Sequence, residues 1–448
     1  MNPHILRAYD IRGRVNEDLD RETLRSLGAA LGTRVEDAGG TQIALGCDVR
    51  ESSPRLSRWV AEGVLSTGTG VLDLGLVPTP LLYYAVHTLG LDGGVQVTGS
   101  HNPPEYNGMK IMLGNAMLHG EGLVELGRLA ESGTWKHGSG ANEERDISER
   151  YLADLMRPGP LPRPLRVVID AGNGCASILA PELFRRLGAA VTPLYCEYDG
   201  RFPNHIADPT LPETLLALRA QVVALQADFG IAFDGDADRL GVIDDTGRIV
   251  WGDQILALFA RELLAEHPGA TVLFEVKCSR AVAEDVAAHG GVPVMTATGH
   301  SRIKQRMADL AAPLAGEMSG HFFFRDWFGI DDAIYAAQRL ARWLARSDIP
   351  LSARVDALPK YAATPEIRVP CADDRKFDIV SRIGERYRVR HAVIDLDGAR
   401  IEFDAGWGLV RASNTEPMLV LRAEGRTEAE RDAILADLKQ ALVELGVS

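Results

Sequence analysis

Ser100 ends an apolar run, Gly94-Val-Gln-Val-Thr98, and is followed by His101, Asn102, Pro103, Pro104 and, further on, Lys110. Two prolines cannot extend a sheet ladder and hold the chain in turn or extended geometry. The pattern predicts a rigid loop at the C-terminal end of a strand, presenting an exposed hydroxyl with an imidazole and a cation close by in sequence. Such a set suits a nucleophile whose partner is an anion. A hydrolase-type pair, Ser100 with His101 as its base, is one reading of these residues.

Asp234-Gly-Asp-Ala-Asp-Arg239 follows the apolar run Phe229-Gly-Ile-Ala-Phe233. Three carboxylates on alternate residues of a turn can converge on one hard cation, and Gly235 and Ala237 leave room for a tight wrap. A solvated acidic turn is the plain alternative. An EF-hand would need glycine where Arg239 stands. With so few protein ligands the set suits magnesium, which would complete its oxygens from phosphate and water, and Arg239 could brace the same phosphate. Gly316-Glu-Met-Ser-Gly-His321 sets Glu317, Ser319 and His321 at period two, on one face of an extended loop, where they could grip a diol. Arg411-Ala-Ser-Asn-Thr415 offers a guanidinium fork and short donors for a phosphate, from Arg411, Ser413, Asn414 and Thr415. Taken singly, Lys277, His300, Tyr9, Arg12, Asp48 and Arg50 are ordinary polar residues, the last four surface residues unless the fold brings them to Ser100.

The elements that must position these loops alternate. Thr41–Gly46 reads as a buried strand, with Ser52 as N-cap and Pro54 in the first turn of a helix whose apolar face is Leu56, Trp59, Val60 and Val64. Strand, polar loop and helix recur at Leu165–Asp170, Phe229–Phe233 and Thr271–Val276, which predicts parallel α/β sheets. From about Lys360 the pattern changes to short alternating strands with a hairpin turn at Asp397-Gly398. A final helix follows, capped by Thr427 with Glu430. The fold class expected is α/β: three similar mixed α/β domains, 1–146, 147–249 and 250–358, then a smaller α+β domain, 359–448, around a central cleft. Each carries one polar loop, and Leu358–Ala363 would be a hinge. In open α/β sheets ligands gather at the carboxyl ends of strands.

At 448 residues the chain exceeds a single core. A net charge of −14 and the absence of a basic run argue against a nucleic-acid partner. The five cysteines form no CxxC pair, so neither a zinc site nor a disulfide framework is expected. Met1–Arg14 lacks a secretory signal, and the uncharged stretch between Asp73 and Asp92 is broken by prolines and glycines. The expectation is a cytoplasmic monomer acting on small molecules, with no membrane or nucleic-acid partner.

Together and in order, the four motifs resemble those of the α-D-phosphohexomutases, and most closely the bacterial phosphomannomutase/phosphoglucomutase group. Thr98–Pro103 is similar to that family's phosphoserine loop, Asp234–Arg239 to its metal loop, Gly316–His321 to its sugar loop and Arg411–Thr415 to its phosphate loop. The resemblance implies reversible phosphate transfer between O1 and O6 of a glucose or mannose phosphate, with Ser100 phosphorylated at rest and a hexose 1,6-bisphosphate as intermediate and activator. It implies Mg2+ on Asp234, Asp236, Asp238 and phosphorylated Ser100, surrounded by Arg12, His101 and Lys110, with His321 or Lys110 as general acid/base. Glu317 and Ser319 would hold sugar hydroxyls. Tyr9, Lys277, His300, Arg411, Ser413, Asn414 and Thr415 would complete the substrate site. Two positions depart from the family's pattern: Gly99 stands where alanine is common, and Gly46-Cys-Asp-Val-Arg50 replaces a frequent Gly-Arg-Asp-Gly-Arg. A phosphoglucosamine mutase is the nearest rival. A sugar-phosphate-binding regulator without turnover and a magnesium phosphatase are the readings from other classes.

Overall fold

The computed structural model describes residues 1–413 and 417–447. Asn414 and Thr415 therefore lie outside the described residues. The chain forms two compact units, Met1–Gly252 with Ser319–Val355, and Asp253–Met318 with Asp356–Ser448.

The first unit contains two sheets. In the first, Gln42–Cys47 pairs in parallel with Gly70–Leu76 and Gly93–Val97, and Tyr106–Leu113 returns antiparallel beside Gly93–Val97, with Ile11–Arg14 at its other side. Gln42–Cys47 is buried on both faces almost throughout, which its unbroken apolar run dictates. The helices Arg21–Asp37 and Ser53–Leu65 pack at glycine contacts: a Cβ on Gly63 would lie 2.1 Å from Arg25 O, and one on Gly28 2.3 Å from Val60 O. Ser52 does flank Ser53–Leu65, but its side chain makes no cap bond. It accepts instead from Asn107 Nδ2 at 2.8 Å, a long-range partner that wins over the local one.

The second sheet runs Ile249–Val250, Leu240–Asp244, Phe229–Phe233, Arg166–Asp170, Ala190–Leu194. The last three strands are parallel, so Arg166–Asp170 and Phe229–Phe233 both deliver their polar loops at one end. Helix Ala333–Ala345 is tied to its surroundings by Asp332, which is almost wholly buried. Asp332 caps that helix by accepting from Tyr335 N at 2.9 Å, and also accepts from Tyr151 OH at 2.8 Å and Trp327 Nε1 at 2.7 Å. The rings of Tyr84 and Trp327 stack beside them, 5.6 Å apart.

In the second unit Thr271–Glu275 lies between Val292–Thr296 and Leu314–Gly316, all parallel. The C-terminal sheet is antiparallel, built on Ala399–Phe403, Gly406–Ala412 and Met418–Gly425, and covered by helices Asp373–Arg388 and Glu428–Glu444. The capping box of Thr427 and Glu430 forms as its spacing requires. Helix Asp373–Arg388 was not among the elements expected. Three similar α/β segments and a smaller α+β segment are thus the observed classes, and no helix among the described residues is long and apolar enough to cross a membrane.

Burial pushes the Asp332 carboxyl up to about 6, against the bonds from Tyr335, Tyr151 and Trp327 that pull it down. The folded state therefore binds this proton more tightly than the unfolded chain. The stability it contributes is complete below about pH 4 and is lost as pH rises through about 6. Asp332→Asn keeps an N-cap oxygen and cannot titrate. The stability difference between wild type and variant should shift by on the order of 3 kcal/mol between pH 4 and 7 in denaturant titrations, in favour of the variant at the higher pH. A pH-independent difference would refute this account.

Candidate active site

Ser100 follows strand Gly93–Val97 with a left-handed backbone, φ 49°, a conformation that costs a non-glycine residue about 1–3 kcal/mol unless neighbours fix it. Ser100 N donates to Thr98 Oγ1 at 2.8 Å. The hydroxyl is not exposed as expected: Ser100 retains 2% of its surface. Its Oγ lies 3.0 Å from His101 Nδ1 and donates to Asp234 Oδ2 at 3.0 Å. Burial first, and then the cations Arg239 and Arg12, push the His101 imidazole well below its ordinary value, so it is neutral.

The loop after Phe229–Phe233 wraps on itself. Asp234 Oδ1 accepts from Asp238 N and Arg239 N, each at 3.1 Å, and Ala237 takes a left-handed backbone, φ 64°. Gly235 is required where it is, because a Cβ there would lie 2.3 Å from Ser100 O. Lys110 projects from strand Tyr106–Leu113, not from the loop, and donates to Asp236 Oδ2 at 2.6 Å and to Asp238 Oδ2. Thr79 holds the far side, donating from Oγ1 to Asp236 Oδ2 at 2.5 Å and from N to Asp236 O at 2.9 Å.

Asp234, Asp236 and Asp238 are fully buried, and each offers an oxygen within 4.8 Å of the others. Among the described residues, Asp236 Oδ1 and Asp238 Oδ1 have no hydrogen-bond partner. Burial, then Asp238 and Asp236, drive the Asp234 carboxyl well up. Burial also opposes ionising Asp238, but Lys110 and His321 more than offset it and hold that carboxyl below its ordinary value. Lys110 likewise stays protonated, its burial outweighed by Asp236 and Asp238. One lysine against three carboxylates leaves negative charge over, and orphaned oxygens beside it. That donor set fits a hard divalent cation.

Arg12 donates from Nε to Asp10 at 2.9 Å and from Nη1 to Asn102 Oδ1 at 2.5 Å, so it joins the serine loop. Tyr9, half-buried, lies in the bend leading into Arg12's strand. Arg239 Nε donates to His321 Nε2 at 3.0 Å, and His321 Nδ1 lies 3.2 Å from Asp331 Oδ2. Ser319 is half-buried in the turn that precedes His321. That turn, with φ 93° at Gly320, replaces the extended geometry expected for 317–321.

In the second unit Lys277 donates to Glu366 Oε1 at 2.7 Å. Its burial is outweighed by Glu275 and Glu366, which keep it charged, and Glu366 is held down to about 2, chiefly by Lys277. Glu317 Oε1 accepts from Gly299 N at 2.7 Å, next to His300, the first residue of helix His300–Leu310. Arg411 Nε donates to Asp397 Oδ2 at 2.6 Å. Ser413 is buried and bonds back to Met418 O at 3.0 Å.

Several side chains that hold this site together were named from the sequence only conditionally or not at all. Asp48 and Arg50, expected at the surface unless the fold brings them to Ser100, are brought there and buried at 0% and 1% exposure. Glu275 gathers three loops, accepting from Lys277 N at 2.9 Å, Thr298 Oγ1 at 2.8 Å and Met318 N at 3.3 Å. Its signal was an acidic residue closing an otherwise apolar strand. Thr79 and Asp331 had none, because their partners are far away in sequence.

A buried serine is set against a carboxylate trio, in a chain of three α/β segments and a smaller α+β one. Four family models described as phosphoglucomutase/phosphomannomutase match most of the chain in order. Alpha/beta/alpha domain I covers residues 3–122, domain II 150–247, domain III 251–361 and the C-terminal domain 366–441. The chain belongs to the phosphoglucomutase/phosphomannomutase family. It is 44% identical to a phosphomannomutase/phosphoglucomutase of Pseudomonas aeruginosa over 96% of this chain and 93% of that one. It is 43% identical to a phosphoglucomutase of Neisseria gonorrhoeae, over 96% and 95%. The crystal structure of a family protein from Burkholderia thailandensis superposes with a TM-score of 0.92 at 41% identity, covering 98% of this chain and 97% of that one.

Titrating a divalent cation into chelator-stripped protein should raise its melting temperature by a few degrees at saturation. Asp238→Asn should lose most of that shift. Equal shifts in the two proteins would show that the cation binds elsewhere.

Proposed function

We propose that the protein moves phosphate reversibly between O1 and O6 of a hexose phosphate, glucose and/or mannose, through a phosphoserine at Ser100 and a hexose 1,6-bisphosphate. The observation that carries this reading is Ser100 Oγ, buried and 3.0 Å from Asp234 within the carboxylate trio. A hydroxyl so placed suits a phosphate carrier shielded from water, because transfer of a phosphoryl group needs in-line placement and charge neutralisation more than a strong base. The names of the full-length relatives support the sugar class.

Phosphoserine would give up its phosphoryl group to the free hydroxyl of the bound sugar: the Ser100 Oγ–P bond breaks as the sugar O–P bond forms. The resulting bisphosphate would turn over and return its other phosphate to Ser100. Asp234, Asp236, Asp238 and the phosphoserine oxygens would hold Mg2+, which, when bound, neutralises charge on the transferring group. Arg12, His101 and Arg239 would brace the same phosphate. Proton transfer at the sugar hydroxyl would fall to His321 or Lys110: His321 holds Arg239 through Nε2, and Lys110 is held as a cation by two carboxylates. Glu317 and Ser319 would hold sugar hydroxyls. Lys277, His300, Arg411, Ser413, Asn414 and Thr415 would take the distal phosphate, with Tyr9 completing the site. The four segments 1–146, 147–249, 250–358 and 359–448 would act as domains contributing one loop each, in a cytoplasmic monomer.

Ser100→Ala should abolish interconversion of glucose 1-phosphate and glucose 6-phosphate, to below a thousandth of wild type, with substrate binding retained. Wild-type protein should carry one added phosphate, localised to Ser100 by mass spectrometry. Wild-type-like turnover by the variant would remove the phosphoenzyme. Side-by-side assays of glucose, mannose and glucosamine 1-phosphates fix the sugar, and a dominant glucosamine activity would reassign the substrate. Release of inorganic phosphate without isomerisation would instead indicate a phosphatase.

A further inference from the structure

We infer that Arg50, oriented by Asp48 and seated against Gly99, is the positioning residue that fixes the Ser100 loop for transfer. The functional half of this inference rests on the phosphoserine reading above.

Arg50 has five N–H donors. Nε donates to Asp48 Oδ2 at 3.1 Å. Nη1 donates to Pro103 O at 2.7 Å and Tyr106 O at 3.2 Å, and Nη2 to Ser100 O at 2.8 Å and Asn102 O at 2.6 Å. The fork is therefore committed to four backbone carbonyls of one loop and a carboxylate, which leaves no donor for a substrate phosphate. Asp48 clamps the same loop from the other end. Its Oδ2 accepts from Thr98 Oγ1 at 2.8 Å and Gly99 N at 3.1 Å, and its Oδ1 accepts from Arg50 N at 3.0 Å and from the Ser53 hydroxyl. Between them, the two side chains tie down the backbone on both sides of Ser100, whose left-handed φ is not self-sustaining.

The guanidinium lies close against the backbone at Gly99. A Cβ on Gly99 would lie 2.6 Å from Arg50 Nε and Cζ and 2.9 Å from Tyr106 O. The guanidinium thus rests against bare backbone. The ring of Phe202, itself at φ 50°, lies 5.1 Å from Cζ and closes the seat. Gly200 packs against the same segment, where a Cβ would meet Val49 O at 2.4 Å. A lysine at position 50 offers a single point charge and cannot span four carbonyls.

Steady-state kinetics and amide hydrogen exchange of wild type, Arg50→Lys, Arg50→Ala and Gly99→Ala test this. In Arg50→Lys, kcat should fall 10- to 100-fold with KM within threefold of wild type, and amides of residues 99–106 should exchange at least tenfold faster while those of Phe229–Phe233 stay unchanged. Gly99→Ala, which keeps the arginine and displaces it, should show the same split at smaller size. Millimolar guanidinium should restore part of the kcat of Arg50→Ala. A rise in KM at unchanged kcat would make Arg50 a substrate contact and overturn the inference, as would wild-type exchange of 99–106 in both Arg50→Lys and Gly99→Ala. Should wild type itself lack mutase turnover, the phosphoserine reading fails alone, and the exchange measurements still decide whether Arg50 holds the loop.

Discussion

The first unit is organised around a charge that has nowhere else to go. Asp234, Asp236 and Asp238 are buried together, and Lys110 is the cation set directly between two of them. A lone carboxylate in such surroundings would be protonated, and three would repel one another strongly at low dielectric. Lys110 ionises Asp238, but the surplus falls on Asp234, which burial and its two neighbours drive toward the neutral form. The serine hydroxyl donates to that very carboxylate. The arrangement leaves buried carboxylate oxygens on Asp236 and Asp238 that a cation would satisfy, and Ser100 sits at the edge of the trio. The contact with Asp234 fits the proposed phosphate carrier better than a hydrolase serine with His101 as its base.

Bringing the two loops together is a backbone problem as much as an electrostatic one. The serine loop ends the parallel strand Gly93–Val97 in one sheet, and the aspartate loop ends the parallel strand Phe229–Phe233 in the other. Within each sheet the parallel ladder delivers its loop at the carboxyl end of the strand, where ligands gather in such sheets, and the two loops meet where Ser100 Oγ reaches Asp234. The remaining ångströms come from Gly235, where any side chain would strike Ser100 O. Asp331 and Thr79 then restrain His321 and Asp236 from behind, so the polar groups are aimed by neighbours rather than by their own loops.

What was legible in the sequence and what was not divides along contact distance. The serine and aspartate loops announce themselves because their polar groups are contiguous and follow apolar strands. The capping box at Thr427 was legible for the same reason, since both its bonds are local. Ser52 stands at the expected N-cap, but its hydroxyl serves Asn107, over fifty residues away, and not the helix. Asp48 and Arg50 looked like surface residues because nothing within the motif says that the fork will be spent on carbonyls of 100–106. Glu275 and Asp331 escaped for the converse reason: each serves loops drawn from distant segments and carries no motif of its own. Period two was the wrong ruler for 317–321, where Gly320 turns the chain.

The second unit answers a different constraint. In a chain with a net charge of −14, an anionic ligand is met only by cations concentrated locally, and unshielded cations would repel one another. Lys277 and Arg411 are each held by a carboxylate, Glu366 at 2.7 Å and Asp397 at 2.6 Å. Glu366 helps keep Lys277 charged, both carboxylates orient their cations, and they present the charge type that a phosphate would present in their place. Binding at the proposed distal phosphate site is then an exchange of one anion for another, with little of the desolvation cost that bare buried cations would impose. Glu275 completes this logic from below by fixing the loops of Lys277, Thr298 and Met318 to one carboxylate. The loops that would grip the sugar are therefore registered to the cation that would hold its phosphate, before any ligand arrives.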